Sequence, residues 1–254
     1  MSWLNEFGVR LAALDAQALC RRRREVVPEV GARMRVDGES LLAFCSNDYL
    51  GLANDPQLKA AVHAAVDVYG VGSGASPMVS GHSAANAALE RELADAVQLP
   101  RALYFYAGYA TNASIVPALV GEGDALFSDT LNHACLIDGA RLSKADVQRF
   151  GHADLGERAR QLAASSVRRK LVISDAVFSM DGDRADVSGL LALCEQHDAL
   201  LLLDDAHGFG VLGPQGRGAL AEAGLTGAHT SPRVLVHGHA GQGPGCGRRL
   251  CCRA

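Results

Sequence analysis

From about residue 100 the sequence falls into a rhythm that leaves few folds open: short apolar runs, each closed by a polar or glycine-containing loop, with helical periodicity between them. The runs Ala102 to Tyr106, Ala125 to Ser128, Val147 to Phe150, Leu171 to Ser174, Leu200 to Leu203 and Val234 to Val236 read as strands, and Leu155 to Ala164 and Val187 to His197 as helices. Strands apolar on both faces and alternating with helices predict an α/β fold: a mainly parallel sheet covered on both sides and linked by right-handed crossovers. In such sheets ligands bind beyond the carboxyl ends of the strands. The residues that follow each strand are therefore the first candidates for chemistry.

Upstream the pattern differs. Trp3, Leu4, Phe7, Leu11, Leu14 and Leu19 recur at helical spacing and predict an amphipathic helix that lays its stripe on something larger. The Arg21 to Arg24 run that follows reads as a solvated helix end or as an anion reader. Asp37-Gly38 marks a turn between the strand-like pieces Met34 to Val36 and Leu41 to Phe44. The expected organisation is an N-terminal arm over residues 1–40, a body over 41–236 and an aberrant tail over 237–254. No apolar stretch approaches the ~20 residues that span a bilayer. A net charge of -4 and a pI of about 6.1 argue against nucleic acid as a partner and favour a small molecule. Glu6 and Asp15 interrupt any export signal, so a cytoplasmic protein with reduced thiols is expected.

The strand ends carry a definite set of groups. Leu200 to Leu203 runs into Asp204-Asp205-Ala206-His207-Gly208, so two carboxylates and an imidazole leave a buried strand together. Leu171 to Ser174 leads to Asp175 and then to Ser179 and the acidic turn Asp181-Gly182-Asp183, which reads as a polar loop or a metal site. Ala102 to Tyr106 leads to Gly108-Tyr109 and a helix opening at Thr111-Asn112, where backbone amides and the helix dipole favour an anion. Ala125 to Ser128 leads to Asn132-His133, whose imidazole can stack on a flat ring or serve structure alone. Gly70 to Ala75 imitates a dinucleotide loop but follows a helical stretch, Leu58 to Tyr69, and so reads as a turn facing substrate. A phosphate cradle, a stacking histidine, a serine and a buried carboxylate suit a phosphorylated aromatic cofactor such as pyridoxal 5'-phosphate.

The motifs Ser46-Asn47-Asp48-Tyr49-Leu50-Gly51-Leu52, Gly72-Ser73-Gly74, Val79-Ser80-Gly81, Val177 to Asp183 and Asp204 to Gly208 together resemble the α-oxoamine synthases. The resemblance implies a fold type I pyridoxal-phosphate-dependent transferase that condenses an amino acid with an acyl thioester and releases carbon dioxide. It implies that Asp204 pairs with the pyridine nitrogen, that His207 contacts the ring oxygen and that His133 stacks on the ring. Gly108 and Tyr109 would hold the phosphate, Ser179 would contact the cofactor, and Arg21, Asn47 and His133 would meet substrate. The branch most resembled joins L-alanine to a pimeloyl thioester, carried by coenzyme A or an acyl carrier protein, in a homodimer. Siblings that use glycine or serine, and a remnant without catalysis, are the alternatives. Ala75 and Pro77 depart from the family pattern.

After Val236 the resemblance stops, and no lysine follows Lys170, although the family carries its Schiff-base lysine in the next segment. The codons of His237 to Arg253, read one base later, admit Met-Gly-Thr-Leu-Gly-Lys-Ala-Leu-Gly-Ala-Ala-Gly-Ala-Phe-Val-Ala-Gly. That is the family's continuation, so a change of frame near codon 237 is expected, with the C-terminal part of the fold missing. The rival reading is a metal-binding tail made by His237, His239, Cys246, Cys251 and Cys252.

Overall fold

In the computed structural model, which describes residues 3–28, 32–239 and 249–253, the chain divides into two compact units, Met1–Ser46 and Asn47–Ala254. The first holds helix α1 (Trp3–Ala16) and strands β1 (Val26–Pro28), β2 (Arg33–Val36) and β3 (Glu39–Leu42), paired antiparallel in that order. Asp37 and Gly38 take φ of +49° and +92°, the turn backbone whose twist matches that of the strands it joins. Arg24 Nε donates to Asp37 Oδ2 at 2.7 Å beside this turn. The predicted stripe on α1 exists, but Trp3, Phe7, Leu11 and Leu14 are exposed. The boundary between units falls after Ser46 rather than at residue 40, because β3 pairs with β2.

The second unit begins with helix α2 (Pro56–Tyr69). The Asp55 side chain accepts from the amides of Gln57 and Leu58, Pro56 opens the first turn, and Gly70 at φ +72° ends the helix. Helix α3 (Ala84–Val97), strand β4 (Arg101–Phe105) and helix α4 (Gly108–Leu119) follow. The alternation then continues through β5 (Ala125–Asp129), α5 (Ala134–Ser143), β6 (Asp146–Phe150), α6 (Leu155–Ala164), β7 (Lys170–Asp175), α7 (Val187–Gln196) and β8 (Leu200–Asp205). A short helix α8 (Ala219–Glu222) precedes β9 (Val234–His239) and β10 (Arg249–Arg253).

The sheet has seven strands in the order β4-β10-β9-β8-β7-β5-β6. Strands β9, β8, β7, β5 and β6 are parallel, and β10 is antiparallel to both of its neighbours. Alternation along β8 explains why both faces are covered. Leu202 packs with Val116, Leu136 and Ala140 of α4 and α5, whereas Leu201 and Leu203 pack with Leu162, Leu190 and Cys194 of α6 and α7. Each such buried leucine contributes about 1.5–3 kcal/mol relative to exposure. The parallel, doubly covered α/β sheet expected from the sequence is the fold.

The predicted strand at Val234 continues to His239, and within the span expected to be an aberrant tail residues 249–253 form a strand. The physical reason is that ladder hydrogen bonding is a backbone property, and β4 and β9 both present unpaired edges that one strand can satisfy. Of the suggested metal tail, Cys246 lies outside the described residues. Among the described residues no helix is long and apolar enough to cross a membrane.

Candidate functional site

The order β8-β7-β5-β6 makes β5 the point where successive connections run to opposite sides, so the loops after β5 and β7 diverge and leave a crevice. Asn132 bridges the two strands across it: its Nδ2 donates to the Ile173 carbonyl at 3.0 Å and its Oδ1 accepts from the Asp175 amide at 3.0 Å. His133, next along, caps α5 by accepting from the Cys135 amide at 3.2 Å through Nδ1. Its own amide donates to Asp175 Oδ2 at 2.7 Å.

A cavity of about 190 Å³ sits here, lined by Asn47, His133, Asp175, Ser179, Met180, Asp204, Ala206 and His207. Five of the residues singled out in the sequence, Asn47, His133, Ser179, Asp204 and His207, are thus brought together. Gly108 and Tyr109 form the first turn of α4 and do not line this cavity. Among the described residues no side chain caps that turn, which leaves its first amides at the carboxyl edge of the sheet. Arg21 is exposed in the extended segment between α1 and β1 of the other unit.

Asp204 is the most constrained group. It is only 3% exposed. Its Oδ2 accepts from Asn112 Nδ2 at 2.8 Å and its Oδ1 from the Ala206 amide at 3.1 Å. Asn112 reaches it because α4 and α5 pack closely at Gly139, where an added Cβ would overlap the Asn112 carbonyl. Asp175 stands beside Asp204 in strand register. Burial, and then the neighbouring Asp204 charge, push its carboxyl up to about 7. His207 is set by the Tyr49 hydroxyl, 2.7 Å from its Nδ1, and that hydroxyl lies 3.4 Å from Asn47 Oδ1. Burial raises the Tyr49 phenol above its ordinary range, which keeps it a neutral hydroxyl.

Ser179 and Met180 reach the cavity from the loop after β7. The Phe178 amide donates to the Asp183 carbonyl at 2.9 Å, and the Ala185 amide to the Ala176 carbonyl at 3.0 Å, closing that loop. His152 then ties it to the sheet, with Nδ1 3.1 Å from Asp129 Oδ1 and Nε2 2.7 Å from Asp183 Oδ2. The acidic turn of the sequence therefore binds an imidazole. The sequence assigns Asn112, Asp175, Tyr49 and His152 no role at the site, although Asp175 is the first charge after a wholly apolar strand and Tyr49 stands in one of the family motifs.

None of the chain's three lysines lines the cavity. Lys59 is in α2 and Lys144 ends α5. Lys170 opens β7 at the amino edge, where its Nζ donates to the His197 carbonyl at 2.9 Å.

Known proteins share this architecture. The 8-amino-7-oxononanoate synthases of Delftia acidovorans and Paracidovorax citrulli are 71% and 69% identical over 96% of this chain, and the matched part is 61% and 59% of their own lengths. The chain thus spans about 60% of the length of the curated relatives it matches. Among solved structures, Sphingomonas wittichii serine palmitoyltransferase superposes with a TM-score of 0.88 at 28% identity, covering 100% of this chain and 64% of that one. A serine palmitoyltransferase from S. paucimobilis with bound PLP superposes equally well, at 0.88 and 26% identity, again covering 100% of this chain and 64% of that one. Residues 39–238 match the family described as aminotransferase class I and II. With most of its length inside that match, the chain belongs to the class I and II aminotransferases.

Proposed function

We propose that the crevice binds pyridoxal 5'-phosphate and that the intact protein condenses L-alanine with a pimeloyl thioester to give 8-amino-7-oxononanoate. One observation carries the cofactor reading: a carboxylate sealed from water at Asp204, oriented by Asn112 and the Ala206 amide and lining a cavity. A buried carboxylate is costly unless it has partners, and one that lines a cavity can pair with a protonated ring nitrogen. His133 supplies a face for stacking, His207 a hydrogen bond to the ring oxygen, and Ser179 a hydroxyl. The uncapped turn at Gly108 and Tyr109 supplies amides for phosphate. When bound, the cofactor provides an electron sink for carbon-acid chemistry. Asp204 would keep the ring nitrogen protonated, and His207, held by Tyr49, would fix the ring in its plane.

The donor set fits the ring and phosphate but offers the aldehyde no amine, since none of Lys59, Lys144 and Lys170 reaches the cavity. The chain as written is therefore proposed to bind the cofactor without a covalent link and to lack synthase activity. Arg21 is proposed to read the acyl substrate, and Asn47 and His133 are proposed to meet substrate. High identity to 8-amino-7-oxononanoate synthases, against 26–28% for serine palmitoyltransferases, favours alanine over serine as the amino acid. The exposed apolar residues of α1 support a homodimer of the intact protein, and a cytoplasmic location accords with the proposed biosynthetic role.

The test is equilibrium dialysis of the chain against pyridoxal 5'-phosphate, followed by borohydride reduction and mass spectrometry. Saturable binding, weakened at least tenfold by Asp204→Asn and leaving no pyridoxyl group on lysine, is expected. A single reduced lysine adduct together with turnover of alanine and pimeloyl thioester would refute the non-covalent reading. Failure to bind would refute the site.

A further inference from the structure

We propose that His237 is an internal competitor for Asp204, an imidazole that occupies the carboxylate this site would otherwise present to a ring nitrogen. Strands β7, β8 and β9 place Asp175, Asp204 and His237 side by side in register at the carboxyl edge. His237 follows Leu235 on the same face of β9, and Leu235 packs with Leu202 and Val116 against α4. The imidazole is 0% exposed, and among the described residues neither ring nitrogen has a directed hydrogen bond. Its Nδ1 lies 3.2 Å from Asp204 Oδ2, the oxygen that Asn112 already engages.

A buried imidazole without a partner is unfavourable, and a small rotation converts this approach into a hydrogen bond to Asp204. Once made, that bond uses acceptor capacity on Oδ2, and an imidazolium there would cancel the negative charge of the carboxylate. A pyridine ring arriving at Asp204 must then displace or share the partner. The shifted reading of codon 237 admits methionine, which has no N–H to offer. On this view the residue that stands at 237 sets how firmly the ring is held.

The inference rests on the cofactor reading above, and its test separates the two. Pyridoxal 5'-phosphate affinity is measured by dialysis for the chain, for His237→Met and for His237→Gln. In parallel, urea denaturation without cofactor compares His237→Met, Asp204→Asn and the double variant. Competition predicts cofactor binding about tenfold or more tighter in His237→Met, an intermediate value for His237→Gln, and non-additive effects in the denaturation cycle. Unchanged affinity, or additive single effects, would overturn it. If no protein binds the cofactor, the cofactor reading falls, and the denaturation cycle still decides whether His237 and Asp204 are coupled.

Discussion

His152 stands between two carboxylates, and this geometry dictates how its contribution varies with pH. A neutral imidazole carries one N–H, so it can donate to Asp129 or to Asp183 but not to both. The imidazolium satisfies both at once, at 3.1 and 2.7 Å. Burial works against the charged form, but the hydrogen bonds to Asp129 and Asp183, with their charges, outweigh it and raise the histidine above its ordinary 6.5. A group raised in the folded state stabilises fully below its unfolded value, and that contribution is lost as pH rises through the folded value. The Asp129 side chain is 1% exposed and that of His152 29%, whereas that of Asp183 is 40% exposed. The Asp129 bond thus falls near the lower end of the about 1.5–3 kcal/mol typical of a bond to a charged group. The Asp183 bond is screened, to about 0.2–1 kcal/mol. Deprotonation forfeits one of the two, so His152 should supply about 1 kcal/mol more stability at about pH 6 than at about pH 9. Urea denaturation of the parent and of His152→Gln at both pH values measures this as a difference, which cancels the titration of Asp175 and Asp205. Parallel stability profiles for the two proteins would refute the reasoning. Hydrogen exchange at residues 177–183 gives a local readout, because the loop bearing Ser179 should lose protection when the latch opens.

Two further outcomes follow from the same packing. Burial, with the charges of Asp204 and Glu222, pushes Asp205 up to about 8 against the bond it accepts from the Ala219 amide, so it holds a proton at neutral pH. Its contribution is fully present below the unfolded value and fades as pH rises through about 8. Asp205→Asn, which keeps the acceptor, should flatten that dependence in denaturation curves, and an unchanged slope would count against it. Gly139→Ala should drive a methyl into the Asn112 carbonyl, costing about 1–3 kcal/mol on denaturation and loosening cofactor binding through the displaced Asn112. A stable variant with unaltered affinity would show that α4 can shift without disturbing Asp204.

The strands and their ends were legible because a parallel strand buried on both faces has to be apolar throughout, and its first polar residue marks the edge where ligands gather. Asp204, His207, His133 and Ser179 follow from that rule together with the family's motifs. Strand order is not written in such runs. Without knowing that β7 lies between β5 and β8, nothing brings Asp175 beside Asp204 or His133 beside Asp175. Asn112 sits on a helix with no apolar stripe to contradict it, and its role depends on how closely α4 approaches α5. Similarly, the turn at Asp181 to Asp183 looked like a free acidic loop because its partner, His152, arrives from another connection. The stripe on α1 was read correctly as apolar, but its exposure is a matter of what surrounds it.

The position of β10 bears on the order in which the molecule can assemble. Among the described residues, strand β4 is joined to the parallel block by hydrogen bonds only through β10, although it is made long before it. As the chain leaves the ribosome, β5 to β9 can find one another in turn, whereas β4 must wait, with α3 and α4 packed around it, for residues at the far end of the sequence. Pairing across such a separation carries the largest loop-closure cost in the sheet and is intrinsically slow. The wedge between β4 and β9 is therefore the last part of the sheet to close, and until it closes those two edges are the surfaces a chaperone or a second nascent chain would encounter.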